Sequence, residues 1–361
     1  MPETLRESEP LSASAAALLT RHHRIPVTVT AWQPIPPWPV ARVHLVGEGL
    51  PATAIVKRPN PDRPAEASDD FTRRVRTEAA ALRYLAGTRL APRLLAVDLA
   101  AGYLVQEDLG PLVALDTLLR RDGAAPHADR VVAHAAAHGR LAAATAGRRM
   151  RPPQLSRRVI PDTELGVALD GRAAGDLAAA RAELTAPGPF LTLGNGDPET
   201  NNTLVDPAAD RTDARLIDFE FTGPVHALDA AVNLLIPGPA WMTVGRPELR
   251  ARALAAHRRA LAEAVPEAAD DRRHGFGLAA ACLDTAVGRL QRLPRLDLRS
   301  PADGGRAQLV NTLESAAAVA DEARALPHLA GWARRAAAVL RRRWSDADQD
   351  FGALLPYQPR R

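Results

Sequence analysis

The sequence has almost no lysine. Of its 46 basic residues, all but Lys57 are arginine. In so Ala- and Pro-rich a chain this skew reads as codon bias, and it makes the surviving lysine a residue to explain. Arginine serves as a surface cation, but its planar fork does not replace a compact ammonium in a tight site. Cysteine is as scarce: Cys282 stands alone, which excludes an intramolecular disulfide and a cysteine zinc site. No stretch approaches the roughly 18 apolar residues of a membrane span. Met1–Pro10 has neither the basic start nor the apolar stretch of a signal peptide. These absences predict a cytoplasmic chain with no membrane partner.

An excess of charge is missing too. The pI near 9.9 looks like a nucleic-acid signal, but the net charge is only +4 over 361 residues. Arginines and acids are interspersed. The longest basic run, Arg341-Arg342-Arg343, is followed by Asp346, Asp348 and Asp350 and reads as a solvated helix end. No nucleic-acid partner is expected. What is present is an ordinary globular composition, 46% hydrophobic and 24% charged, with enough apolar mass for a large core or two lobes.

Residues 1–20 read as a loose tail or a short first helix. A β pattern follows: Ile25 to Trp32 is rich in β-branched residues, Val40 to Val46 alternates, and Ala52 to Lys57 is a short apolar strand. Gln33 to Pro39 between them is too Pro-rich for strand or helix. A polar loop, Pro59 to Asp70, leads to a helix with Phe71, Val75, Glu78, Leu82 and Leu85 near one face and Gly87 as its stop. Two more strands, Leu94 to Val97 and Tyr103 to Gln106, join at Ala101-Gly102. After Gly110-Pro111 the spacing turns helical, in Leu112 to Arg121, Ala128 to Ala146 and four long segments from Pro247 to Arg343. One β island, Phe190 to Phe221, interrupts it. The expected architecture is a small α+β lobe over 21–110 and a larger helical lobe over 111–361.

The island carries the chemistry. Gly194-Asn195-Gly196-Asp197 is followed by Asn202 five residues after the Asp, then a strand, a turn, and Arg215-Leu216-Ile217-Asp218-Phe219-Glu220. Phosphoryl transfer asks for these types. A carboxylate orients the attacking hydroxyl and accepts its proton. Magnesium takes oxygen ligands, a carboxylate and an amide carbonyl among them. Taken singly, each residue has a plainer reading: Gly, Asp, Pro and Asn form turns, Asp218 ends a strand, and Glu78 is a solvated helix residue. Their order and spacing separate the two readings.

In that order the sequence resembles the aminoglycoside phosphotransferase and choline kinase-like family, distant relatives of protein kinases. Asn195-Gly196-Asp197 with Asn202 matches the family's His-Gly-Asp-x-x-x-x-Asn motif. Ile217-Asp218-Phe219-Glu220 matches its Ile-Asp-aromatic-Glu motif, and Leu228-Asp229-Ala230 its downstream Asp. Ala54-Ile55-Val56-Lys57 is similar to the kinase Val-Ala-Ile-Lys strand, and Glu78-Ala79-Ala80-Ala81-Leu82 to its Glu-bearing helix. The match is good over roughly 40–235.

The resemblance implies a bilobal protein kinase-like α+β fold with a small antiparallel N-terminal sheet. It implies Asp197 as catalytic base, Asn202 and Asp218 as Mg²⁺ ligands, Lys57 on the ATP phosphates paired with Glu78, and Asp229 bracing the loop. The lobe-connecting segment near 104–110 would hold adenine, with Gln106, Glu107 and Asp108 as candidates. The chain departs from the family at Asn195, which replaces His, in the Gly-free Gln33–Pro39 loop, and at Arg140-Leu141-Ala142, where Leu-His is usual. The implied activity is transfer of the γ-phosphoryl group of ATP to a hydroxyl of a small molecule: an antibiotic, a sugar or an amino alcohol. Glu220 is a candidate to face that acceptor. The alternatives are a kinase-like binding protein without catalysis and a kinase acting on Ser/Thr of a peptide. His134 and His138, four apart on a helix, could offer two metal ligands, but they lack a third and read as helix-surface or packing residues. His22-His23 read as exposed.

Overall fold

The computed structural model of the chain describes residues 4–36, 39–58, 65–150, 165–208, 213–237, 247–300 and 304–348. By their internal contacts these form two compact units. One contains the residues up to Leu112 together with Arg215–Thr222, and the other Val113–Ala214 with the rest from Gly223.

The first unit is built on alternation. Its elements are α1 (Thr4–His23), β1 (Thr28–Pro34), β2 (Val40–Val46), β3 (Thr53–Lys57), α2 (Ala65–Tyr84), β4 (Leu94–Asp98) and β5 (Tyr103–Glu107). The five strands form one antiparallel sheet in the order β1-β2-β3-β5-β4. In a strand successive side chains face opposite ways. Val43, Leu45, Ala54, Val56 and Val105 share one buried cluster with Ala15, Leu18 and Leu19 of α1. Lys57 follows Val56 and so faces away from that cluster, toward α2.

Three sequence expectations change here. The first residues are no loose tail: α1 is a 20-residue helix, and Ala15, Leu18 and Leu19 fall on one stripe at i, i+3, i+4 spacing. His23 is not simply exposed, since its Nε2 lies 3.0 Å from the Leu95 carbonyl; His22 is exposed. The Pro-rich segment is partly strand, because β1 continues through Gln33 and Pro34, paired with Arg42 and Ala41. β1 is an edge strand, where proline costs no ladder bond. Pro37 and Trp38 of that segment, and Pro59–Pro64 of the polar loop, lie outside the described residues.

The second unit contains β6 (Val113–Ala114), α3 (Leu115–Asp122), α4 (Ala128–Thr145), α5 (Gly171–Thr185), β7 (Leu191–Gly194) and β8 (Thr203–Val205). The chain then passes through β9 (Arg215–Leu216) in the first unit. It returns as β10 (Gly223–His226), α6 (Val232–Leu235), α7 (Pro247–Ala262), α8 (Asp271–Arg289), α9 (Leu293–Asp297), α10 (Gly305–Glu322) and α11 (Pro327–Arg343). The expected helix from Leu112 starts at Leu115, behind β6. The β island extends to His226. Sequence reading passed over α5, whose start is capped by Asp170 accepting from Arg172 N and Ala173 N. The run Arg341–Arg343 is more than a solvated end: Arg341 holds Glu314 and Asp348, and Arg343 holds Asp297. No helix among the described residues is long and apolar enough to cross a membrane.

A glycine lets two of these helices approach closely. A Cβ added at Gly139 of α4 would stand 2.4 Å from the His257 carbonyl of α7. Around that contact His134, His138, His257 and His274 are all buried. The packing reading of His134 and His138 therefore holds. Both ring nitrogens of His257 and the Nε2 atoms of His138 and His274 lack a hydrogen-bond partner. Burial keeps these rings neutral, pushing His134 and His274 down to about 4 and His257 down to about 3. His138 also lies well below the usual range, with His134 and His257 adding to the effect of burial.

Unfolded, each ring takes up a proton near pH 6.5; folded, it resists. Their contribution to stability is complete above pH 6.5 and is lost as pH falls from there toward 4. We expect a slope of about 1.4 kcal/mol per pH unit for each such ring, read from urea midpoints between pH 7 and 5. His257→Leu should remove about one ring's share; an unaltered slope would show that His257 does not titrate this way.

Candidate functional site

Two clusters of the expected residues form, one in each unit. In the first unit the ammonium of Lys57 donates to both oxygens of Glu78, at 2.7 and 2.9 Å, and to Asp218 Oδ1 at 2.7 Å. Strand alternation aims Lys57 at α2, and Glu78 on the inner face of α2 meets it. Glu78 is 1% exposed and also accepts from Phe219 N at 3.4 Å. Burial alone would lower the Lys57 pKa, but the two carboxylates outweigh it and hold it above the ordinary lysine value. Asp218 stands at φ +64°, a left-handed conformation that Asp tolerates better than most side chains.

The neighbouring Glu220 is bound to Arg74 of α2 at 3.2 Å, and the Arg74 guanidinium lies 4.6 Å from the centre of the Phe221 ring. Burial, with the Asp218 charge adding, raises the Glu220 pKa. Glu220, the candidate to face an acceptor, holds Arg74 within the first unit. Arg74 escaped the sequence reading because an arginine on a charged helix carries no pattern of its own.

At the end of β5 the three candidates differ. Gln106 is buried, with Oε1 unpartnered. Glu107 accepts from Arg93 N at 3.0 Å. Asp108 takes a two-point contact from Arg42 at 2.6 and 3.0 Å and accepts from Gly110 N at 3.0 Å. Although burial opposes it, these bonds keep Asp108 below the usual carboxylate range. The Glu107 and Asp108 carboxylates thus fix the chain where it leaves the sheet.

In the second unit Asp197 and Asn202 meet. Asn202 Nδ2 donates to Asp197 Oδ2 at 3.0 Å and to its carbonyl at 3.1 Å. Gly196, at φ +82°, supplies the left-handed turn that L side chains avoid. The loop rests on α4 from both sides: the Leu193 N–H of β7 donates to the Thr145 hydroxyl at 3.0 Å, and His134 Nδ1 lies 2.8 Å from Thr203 Oγ1 of β8. Asn195, the departure from the family His, is 1% exposed and donates to the Asp197 carbonyl at 3.1 Å. It braces the loop through its amide. Asp229 lines a small cavity behind the loop with Asn195, Gly196 and Pro198. Asn233 of α6, which sequence reading missed, reaches Glu199 at 3.2 Å.

No family model matches the chain, and no curated protein matches it in sequence. Solved structures do. The choline kinase LicA from Streptococcus pneumoniae aligns at a TM-score of 0.51 and 12% identity, over 87% of this chain and 99% of its own. A choline/ethanolamine kinase family protein from Mesorhizobium loti aligns at 0.45 and 18%, over 90% and 99%. With its five-stranded antiparallel sheet and helix-rich remainder, the chain has the protein kinase-like α+β fold of this group.

Glu78→Gln keeps the shape of the buried pair and removes its charge. We expect about 1–3 kcal/mol of lost stability, measured by urea unfolding of the full chain. An unshifted midpoint would mean that Asp218 alone compensates Lys57.

Proposed function

We propose that this chain is an ATP-dependent O-phosphotransferase that transfers the γ-phosphoryl group to a hydroxyl of a small molecule. The observation that carries the reading is the Lys57–Glu78–Asp218 cluster. A lysine held at two points by a buried glutamate and touching a carboxylate is poised for phosphates. The chain's one lysine stands there, where an ammonium's compactness matters.

In this reading Lys57 steadies the α- and β-phosphates and Glu78 orients it. The segment Gln106–Asp108 holds adenine through backbone groups, since the Glu107 and Asp108 carboxylates are already engaged. Asp197 orients the acceptor hydroxyl and takes its proton as the oxygen attacks the γ-phosphorus and the bond to the β-phosphate oxygen breaks. Asn202 keeps the Asp197 carboxylate in place. The donors of Asp218 and Asn202 are hard oxygens, the kind Mg²⁺ prefers, and these two residues would hold the ion. Bound there, Mg²⁺ would neutralise phosphate charge. Catalysis is positioning and charge neutralisation, with no covalent intermediate. The bracing of Asp197 by Asn195 favours this reading over a binding protein without catalysis.

The acceptor is sought with a panel of amino alcohols, sugars, hydroxyl-bearing antibiotics and a Ser/Thr peptide with Mg-ATP, read by the mass gain of one phosphoryl group. Asp197→Ala should cost about 10²–10⁴-fold in turnover while preserving nucleotide-dependent thermal stabilisation. Undiminished transfer would remove Asp197 from the mechanism. Lys57→Arg should weaken both nucleotide stabilisation and turnover; full activity with arginine would make the single lysine a chance of composition.

A further inference from the structure

The small cavity behind the Asp197 loop has polar walls that the loop's own hydrogen bonds do not use. His138 and Ala142 of α4, Thr192 of β7 and Asn195 all line it. His138, Thr192 and Asn195 are at most 3% exposed. Two of these three carry a buried polar atom that no protein group satisfies: Nε2 of His138 and Oγ1 of Thr192. Buried polar atoms are nearly always hydrogen-bonded, to protein or to ordered water, and leaving one unpaired is costly.

The surroundings show what is missing. Two other side chains of α4 reach the strands around the loop directly. His134 Nδ1 lies 2.8 Å from Thr203 Oγ1 of β8, and the Thr145 hydroxyl accepts from Leu193 N of β7 at 3.0 Å. That hydroxyl also donates to the Leu141 carbonyl at 2.9 Å, so it is fully engaged. His138 lies between them on the same helix and makes no such direct bond through Nε2. The cavity it lines measures about 20 Å³, and a single water needs about 10–15 Å³. There is room for one water and for nothing larger. Ala142 and Asn195, the two positions where this chain has a smaller side chain than the histidine of the family it resembles, both border that space.

We propose that the cavity binds one ordered water, which bridges His138 Nε2 and Thr192 Oγ1 and so ties α4 to β7 at the base of the Asp197 loop. Burial keeps the His138 ring neutral, so Nε2 offers either one N–H or one lone pair. The Thr192 hydroxyl both donates and accepts. A water, with two donors and two lone pairs, serves either arrangement. Such a bridge is nearly as good as a direct hydrogen bond. His138 and Thr192 are thereby positioning residues for the loop, acting beside the direct contacts of His134 and Thr145. The bridge stands on these contacts alone and does not depend on the phosphotransfer reading.

The test joins high-resolution crystal structures to hydrogen–deuterium exchange of the full chain. In the wild type we expect an ordered water within about 2.6–3.2 Å of both atoms. In Thr192→Val it should be gone or held by His138 alone. Exchange over 195–202 should then rise about threefold or more, with α8 unchanged, whereas Thr192→Ser, which keeps the hydroxyl, should exchange as the wild type does. A general loss of structure would speed exchange in α8 as well, and His138→Leu provides a second variant for the same measurement. A wild-type crystal structure with no water in the cavity, or with a direct bond between His138 and Thr192, overturns the proposal even where a variant does not fold. Unchanged exchange over 195–202 in both Thr192→Val and His138→Leu overturns the positioning role.

Discussion

A buried ammonium must be compensated or it will not stay charged, and this requirement organises the first unit. Lys57 ends β3 on the face opposite the core cluster. Glu78 must be on α2 at the turn that reaches it, and the chain must come back from residue 215 to bring Asp218 alongside. Remove Lys57 and two carboxylates are left facing each other; remove Glu78 and the ammonium depends on the more exposed Asp218 alone. The strand alternation, the helix phase and the return of Arg215–Thr222 are thus parts of one electrostatic solution. Arg74, holding Glu220 and lying over Phe221, secures the same return from the other side.

The second unit solves a different problem, that of holding a short loop still without burying charge. Its means are neutral: the Asn195 and Asn202 amides, the Thr145 hydroxyl and the His134 ring. A neutral brace adds no charge of its own to a loop that already carries Asp197 and Glu199. Two of the helices behind it approach closely where Gly139 meets the His257 carbonyl. The result is a core with little side-chain bulk and several buried imidazoles.

Much of this was legible in the sequence. β2 falls at Val40–Val46 and the four long C-terminal helices fall within Pro247–Arg343, as their periodicity predicts. The Lys57–Glu78 pair is the one the family resemblance implies, whereas the bond from Asn202 to Asp197 was not expected. What was not legible has physical reasons. The helix α1 hides three buried residues in a segment whose average hydropathy is low. Proline at 34 reads as a breaker until the strand is known to lie at an edge. Arg42 and Arg74 act through partners distant in sequence, and in a chain with so many arginines nothing singles them out. The replacement of the family His by Asn195 reads as a loss, yet the amide makes the bracing bond.

The backbone at Asp218 closes off substitutions that its chemistry alone would allow. With φ at +64°, the position suits Gly, Asn and Asp and disfavours longer side chains. Of those three only Asp carries charge. Glutamate, the obvious way to lengthen the reach while keeping the charge, conflicts with the main chain rather than with its neighbours. The main chain thus favours keeping the charge at one side-chain length, since the other residues that fit it best, Asn and Gly, carry none.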